Sequence, residues 1–152
     1  MPLNTIQLPA NKARAKDRGK VGEKKVKEAL TVLKARCPGF NFKKMADAYA
    51  GSLTPVAGDF SVEYLKRSYV IEVKEVAHDF RLPHSNVSFR QLALMRKKRT
   101  SGVVCFFLVY HSLQNEWRCI CLDFLSAREG GSWDLRGHEV KPLSRILEEI
   151  FF

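Results

Sequence analysis

The chain has 152 residues, 45% of them apolar, which suits one globular domain with its own core. No apolar run approaches the roughly 18 residues that cross a bilayer, and the opening MPLNTIQLPANKARAKDRGK lacks a secretion signal's apolar stretch and cleavage site, so a cytoplasmic protein with no membrane partner is expected. A formal net charge of +10 disfavours basic partners and attracts polyanions, nucleic acid first, although charge alone is not an activity.

Residues 1–18 carry Pro2, Pro9 and alternating small and basic residues without apolar periodicity, which predicts a flexible arm ahead of a single domain over 19–152. Lys12, Arg14, Lys16, Arg18 and Lys20 make the arm cationic, either to follow phosphates or as a solvated terminus. From Val21 to Ala35 the residues Val26, Ala29, Leu30 and Leu33 recur at helical spacing until Pro38-Gly39 stops the pattern. Glu23 projects beside that stripe rather than opposite it, a position that the helix dipole also favours for a carboxylate. Residues 40–58 mix a possible short helix with a Gly/Pro-punctuated loop and stay open. Phe60, Val62 and Tyr64 then alternate with polar neighbours, and Tyr69-Val-Ile-Glu-Val-Lys follows across Lys66-Arg67-Ser68, which predicts a β-hairpin.

Ser88 is a good N-cap for a second helix with Phe89, Leu92 and Met95 on one face. Gly102 to Tyr110 is continuously apolar, as in a central strand covered on both faces. Trp117 to Leu122 is the next strand, reached through a turn at Ser112 to Asn115, and Pro142 to Ile150 closes the chain as a helix. The order is α-β-β-α-β-β-α, an α/β fold with a central mixed sheet flanked by helices. The four cysteines and four histidines lack metal-ligand spacing and are read as free thiols and as histidines without chemistry.

Asp59 opens one strand of the hairpin, while Glu72 and Lys74 lie two residues apart on the other and share a face. Those two charges interrupt a strand otherwise made of Tyr69, Val70, Ile71, Val73 and Val76, and desolvating a charge costs several kcal/mol on the order of each ion. A divalent cation resolves the conflict: Asp59 and Glu72 offer the hard oxygens that Mg²⁺ prefers, Mn²⁺ being an alternative. Phosphodiester cleavage is the matching reaction, with Lys74 orienting water or offsetting developing charge. The competing reading is a simple cross-face Glu72–Lys74 pair on an exposed strand.

These residues resemble the PD-(D/E)xK nuclease superfamily, with its restriction-endonuclease-like core. Here the motif reads Pro55-Val-Ala-Gly-Asp59 and Glu72-Val73-Lys74, the proline standing further from the aspartate than in the eponymous pair. The resemblance implies Asp59 and Glu72 as metal ligands, Lys74 as catalytic lysine, the Val73 carbonyl as a further ligand and Glu23 as the first-helix glutamate. Within the superfamily the chain is most similar to RecU-type Holliday junction resolvases of bacteria and phages, through Gly58-Asp59-Phe60, Tyr69 to Glu75, Arg81 to Met95 and the Gly102 strand. In the third stretch Gln91 matches the family glutamine and Arg90 replaces its histidine; Ser88 and Gln91 either position water or phosphate, or are a cap and a polar face. The family's projecting stalk could only fall in 40–58, where Lys43 and Lys44 suit phosphate contact. Arg96-Lys97-Lys98-Arg99 suits both DNA and a helix C-terminus.

The expectation is therefore a Mg²⁺-dependent endodeoxyribonuclease that nicks a four-way DNA junction symmetrically as a C2 homodimer, in a bacterial or phage-infected cell. Its binding should weaken steeply with salt and read shape rather than sequence. The alternatives are another nuclease of the same superfamily, exonuclease or restriction-type, and a non-catalytic DNA-binding scaffold, which requires that Asp59 and Glu72 fail to converge.

Overall fold

The computed structural model describes residues 3–45, 57–77 and 80–152, with side chains from Lys20 onward within the first helix. That helix, α1 (Leu3–Arg36), begins well before the Val21 start that apolar spacing predicts. From Ala10 to Lys20 most residues are Ala, Lys or Arg, which favour helix without any apolar stripe, so a reading based on periodicity passes over this part. The expected arm, with Lys12, Arg14, Lys16 and Arg18, lies outside the described side chains. Within the amphipathic part, Val26 and Leu30 are fully buried, and Ala29 and Leu33 pack against them.

Five strands form the main sheet, in the order β1 (Asn41–Lys44), β2 (Phe60–Tyr64), β3 (Arg67–Val76), β5 (Val104–His111) and β6 (Glu116–Cys121). Only β3 and β5 run parallel; the other neighbours are antiparallel. The predicted hairpin is present, but its turn is Leu65–Lys66, both with positive φ (51° and 63°), rather than Lys66 to Ser68. The crossover between the parallel strands carries β4 (Arg81–Pro83) and α2 (Phe89–Thr100), and β4 pairs with β7 (Ser132–Asp134) in a small second sheet. Helix α3 (Leu143–Phe151) closes the chain, with Ile146, Leu147 and Phe151 buried. The strand β1 falls in the segment that sequence left open, and β4 and β7 are too short to show a period.

Two hydrophobic clusters sandwich the sheet. On one face α1 and α3 pack over Tyr69, Ile71, Val73, Phe106, Leu108 and Tyr110. On the other, α2 and the small sheet pack over Val70, Val76, Phe107 and Val109. β5 is therefore buried from Cys105 to His111, as its unbroken apolar sequence predicts. The aromatic C-terminus belongs to its own core: the Phe151 ring meets Tyr69 edge-on at 4.8 Å and Phe40 at 5.2 Å.

α2 begins at the expected cap, Ser88 Oγ accepting from the Gln91 N–H at 3.0 Å, and Leu92 and Met95 are buried. Phe89, expected on the same face, is instead exposed, with the Arg128 guanidinium stacked 3.9 Å from its ring centre. In the first turn of a helix no preceding turn exists to set that residue against the core. The cysteines are free, Cys105 buried and Cys121 exposed. Among the described residues no helix is long and apolar enough to cross a membrane.

Candidate active site

The site arises where one strand outruns its neighbour. β2 pairs with β3 only up to Phe60 opposite Ile71, while β3 continues to Val76 with β5 alone beside it. The β2-side edge of Glu72 to Val76 is thus open. Asp59, the residue just before β2, fills the first step of this gap: its N–H donates to the Ile71 carbonyl at 2.8 Å, and its carboxylate Oδ2 accepts from the Val73 N–H at 2.8 Å. A side chain replaces a strand neighbour, and the edge amide is satisfied. A strand residue's N–H and C=O face the same edge, so the Val73 carbonyl is directed into the same gap.

Gly58 makes this approach possible. A Cβ there would lie 2.7 Å from Val70 Cγ1 and 2.9 Å from the Ile71 carbonyl oxygen, so no larger residue brings the chain this close to β3. Gly58 was quoted in the sequence as part of a motif, yet its role as a spacer needs the register of the hairpin to be seen. On the outer side the Met45 N–H donates to the Asp59 carbonyl at 2.8 Å, fixing Asp59 between β3 and the end of β1.

Pleat alternation sends Glu72 and Lys74 to the α2 face, with Val70 and Val76. Glu72 is only 5% exposed, and Lys74 Nζ lies 3.5 Å from its Oε2. Burial, then a hydrogen bond and charge repulsion from Asp59, push the Glu72 carboxyl up to about 9, with Lys74 opposing. Both side chains are largely buried, so the reading of Glu72 and Lys74 as a pair on an exposed strand does not hold.

Glu23 reaches the gap from α1 through Lys44, whose Nζ is 2.9 Å from Glu23 Oε2 and 3.6 Å from Asp59 Oδ1. Burial raises the Glu23 carboxyl, Lys44 counters this, and Asp59 adds to the rise. One residue before Glu23, the Gly22 N–H donates to Glu75 Oε1 at 3.0 Å and ties the helix to β3, a contact that sequence spacing did not suggest.

The other expected residues are dispersed. No hydrogen bond or ion pair among the described residues joins the Gln91 side chain to Asp59, Glu72 or Lys74. Arg96 donates to Ser126 Oγ at 2.8 Å and Arg99 to Asp123 Oδ1 at 2.7 Å, tying α2 to the turn at Phe124–Ser126, while Lys97 and Lys98 are exposed. Lys43 is exposed on β1, and Lys20 is exposed on α1.

Among the described residues no three His, Cys, Asp or Glu side chains are grouped as a metal-binding set. The donors on offer here, the Asp59 carboxylate at the open edge, the Glu72 carboxylate on the same strand and a backbone carbonyl facing that edge, match the sparse all-oxygen sets on which Mg²⁺ relies, the rest of its shell being water and substrate. Burial first, and the Asp59 carboxylate second, make the charged form of Glu72 costly, a cost that a divalent ion would offset. The residues fit such an ion.

A mixed α/β sheet flanked by helices, with acidic residues at an open strand edge, places this protein in the restriction-endonuclease-like fold class. No family model matches the chain, and no curated protein matches it. Among solved structures, it is similar to Archaeoglobus fulgidus Hjc, a Holliday junction resolvase from an archaeal hyperthermophile, with a TM-score of 0.58 over 84% of this chain and 98% of that one. The sequences are 18% identical, so the likeness is one of fold.

Proposed function

We propose that this protein is a divalent-metal-dependent endonuclease that cuts branched DNA, a Holliday junction resolvase of the PD-(D/E)xK type. The observation that carries the reading is the open strand edge at which Asp59 is anchored by the Val73 N–H at 2.8 Å, with the buried Glu72 next in the strand and Lys74 3.5 Å from it. The fold likeness to a solved junction resolvase supports the choice of substrate. The closer RecU-type resemblance, and with it a bacterial or phage setting, rests on the sequence stretches alone.

Asp59, Glu72 and the Val73 carbonyl would hold Mg²⁺ or Mn²⁺, with Glu23 beside them. An ion held there would supply Lewis-acid polarisation of the scissile phosphate. Asp59, anchored by the Val73 amide, keeps its ligand geometry without reorganising. Lys74 donates to the attacking water or to the phosphate oxygen on which charge develops. Gln91, at the start of α2, would position water or phosphate. The exposed Lys20, Lys43, Lys97 and Lys98, with Lys12, Arg14, Lys16 and Arg18 of the N-terminal segment, would track the phosphate backbone. Two symmetric nicks require two sites related by a two-fold axis, which a homodimer provides.

The test is cleavage of a labelled four-way junction beside linear duplex and single strand, with and without Mg²⁺, and with Glu72→Gln. Paired nicks on the junction alone, lost in the variant and without metal, are expected. Equal cutting of linear DNA would replace the resolvase by a general nuclease, and no cutting of any substrate would sink both.

A further inference from the structure

We infer that Lys44 is a built-in counter-cation of this site, one that holds Glu23 and Asp59 together before a metal arrives and competes with the metal for their oxygens. The inference rests on the metal-dependent reading above and adds a residue that the motif does not contain. Lys44 ends the edge strand β1, opposite Phe60 in register and so beside Asp59. Its ammonium bridges two carboxylates from different elements, Glu23 Oε2 at 2.9 Å and Asp59 Oδ1 at 3.6 Å, and lies 5.2 Å from the centre of the Phe60 ring. Backbone geometry fixes this placement, since the next residue, Met45, donates its N–H to the Asp59 carbonyl.

The two Asp59 oxygens have divided tasks. Oδ2 accepts from the Val73 N–H, and Oδ1 is the oxygen that Lys44 faces. An ammonium and a divalent ion cannot both sit at close range to Oδ1 and Glu23 without strong repulsion. Cation binding and the Lys44 bridge therefore oppose each other, and by reciprocity whatever weakens the bridge tightens the ion. The bridge also explains how carboxylates from the helix and the hairpin gather before the ion is present, at a cost in metal affinity. Lys44 is thus a positioning residue in the metal-free protein, distinct from a phosphate-contacting lysine such as the exposed Lys43 is expected to be.

The experiment titrates the full chain with Mn²⁺ by calorimetry in the absence of DNA, for wild type, Lys44→Met, Lys44→Arg, Glu23→Gln and the Lys44→Met/Glu23→Gln pair. Lys44→Met should bind Mn²⁺ about tenfold more tightly, within the range typical of coupled sites. Lys44→Arg, which keeps the charge, should stay near wild type, and the gain from Lys44→Met should shrink when Glu23 is already Gln. Unchanged or weaker Mn²⁺ binding in Lys44→Met, with wild-type binding intact, overturns the counter-cation alone. A lower salt slope for DNA binding with no change in Mn²⁺ affinity assigns Lys44 to phosphate and likewise overturns it. If the wild type binds no Mn²⁺ at millimolar concentration, the metal-dependent reading falls as well.

Discussion

Glu72 is only 5% exposed, and burial, with the Asp59 carboxylate beside it, pushes its carboxyl up to about 9. The sign of its effect on stability follows from linkage. Its folded pKa lies above the unfolded value near 4.5, so its contribution is fully favourable below pH 4.5 and is lost as pH rises toward 9. Metal-free wild type should therefore lose stability relative to Glu72→Gln across that window, approaching about 1.4 kcal/mol per pH unit. Chemical denaturation of both proteins between pH 5 and pH 9 checks this, and parallel curves would refute it. Mg²⁺ should raise the melting temperature of the wild type and leave Glu72→Gln nearly unmoved.

At this scale the sequence was informative where charge broke a pattern. Glu72 and Lys74 stood out because the strand around them is apolar, and Asp59 because it opens the partner strand. Gly58 was marked only as part of a motif and Lys44 only as a phosphate contact, since the roles described here lie in distances across the hairpin and the edge strand: 2.9 Å from a would-be Cβ to the Ile71 oxygen and 2.9 Å from Lys44 to Glu23. No spacing along the chain encodes such distances.

Among the elements, the β2–β3 hairpin does most to shape the site, and its turn is locally strained. Leu65 and Lys66 both hold positive φ, the arrangement of a two-residue turn that Asn-Gly serves best. A left-handed conformation costs an ordinary L residue roughly 1 kcal/mol. Lys66→Gly should therefore stabilise the protein by at most about 0.5 kcal/mol, glycine's greater unfolded entropy offsetting half or more of the relief. A rise in the denaturation midpoint with an unchanged slope is the expected result; a fall would mean that the Lys66 side chain contributes more than its backbone strain costs. The hairpin was legible from alternation, though its turn was placed too late because neither Leu nor Lys is a turn residue by type. α2 was legible from its cap and from Leu92 and Met95, whereas Phe89 followed the period and still lies outside the core, stacked on Arg128. β5 was the plainest element, since burial on both faces leaves an unbroken apolar run.

For the molecule as a whole, composition and element order led to the correct fold class, while the strand order and the single parallel pair came only from the structure. That parallel pair also orders events in time. The Asp59–Val73 contact closes a loop of 14 residues within a hairpin, which forms fast, whereas pairing β3 with β5 waits for the crossover through β4 and α2. Glu72 can thus keep its hydration while the hairpin assembles and gives it up when Phe107 pairs beside it. On that schedule the penalty for its charge falls after the folding barrier. Replacing it by Gln should then slow unfolding and leave the refolding rate almost unchanged, readable from the two limbs of a chevron at pH 8. A faster refolding limb would mean that β5 docks early. The strand overhang that exposes the edge for chemistry would thereby also let the chain postpone its most awkward burial until the rest of the sheet is in place.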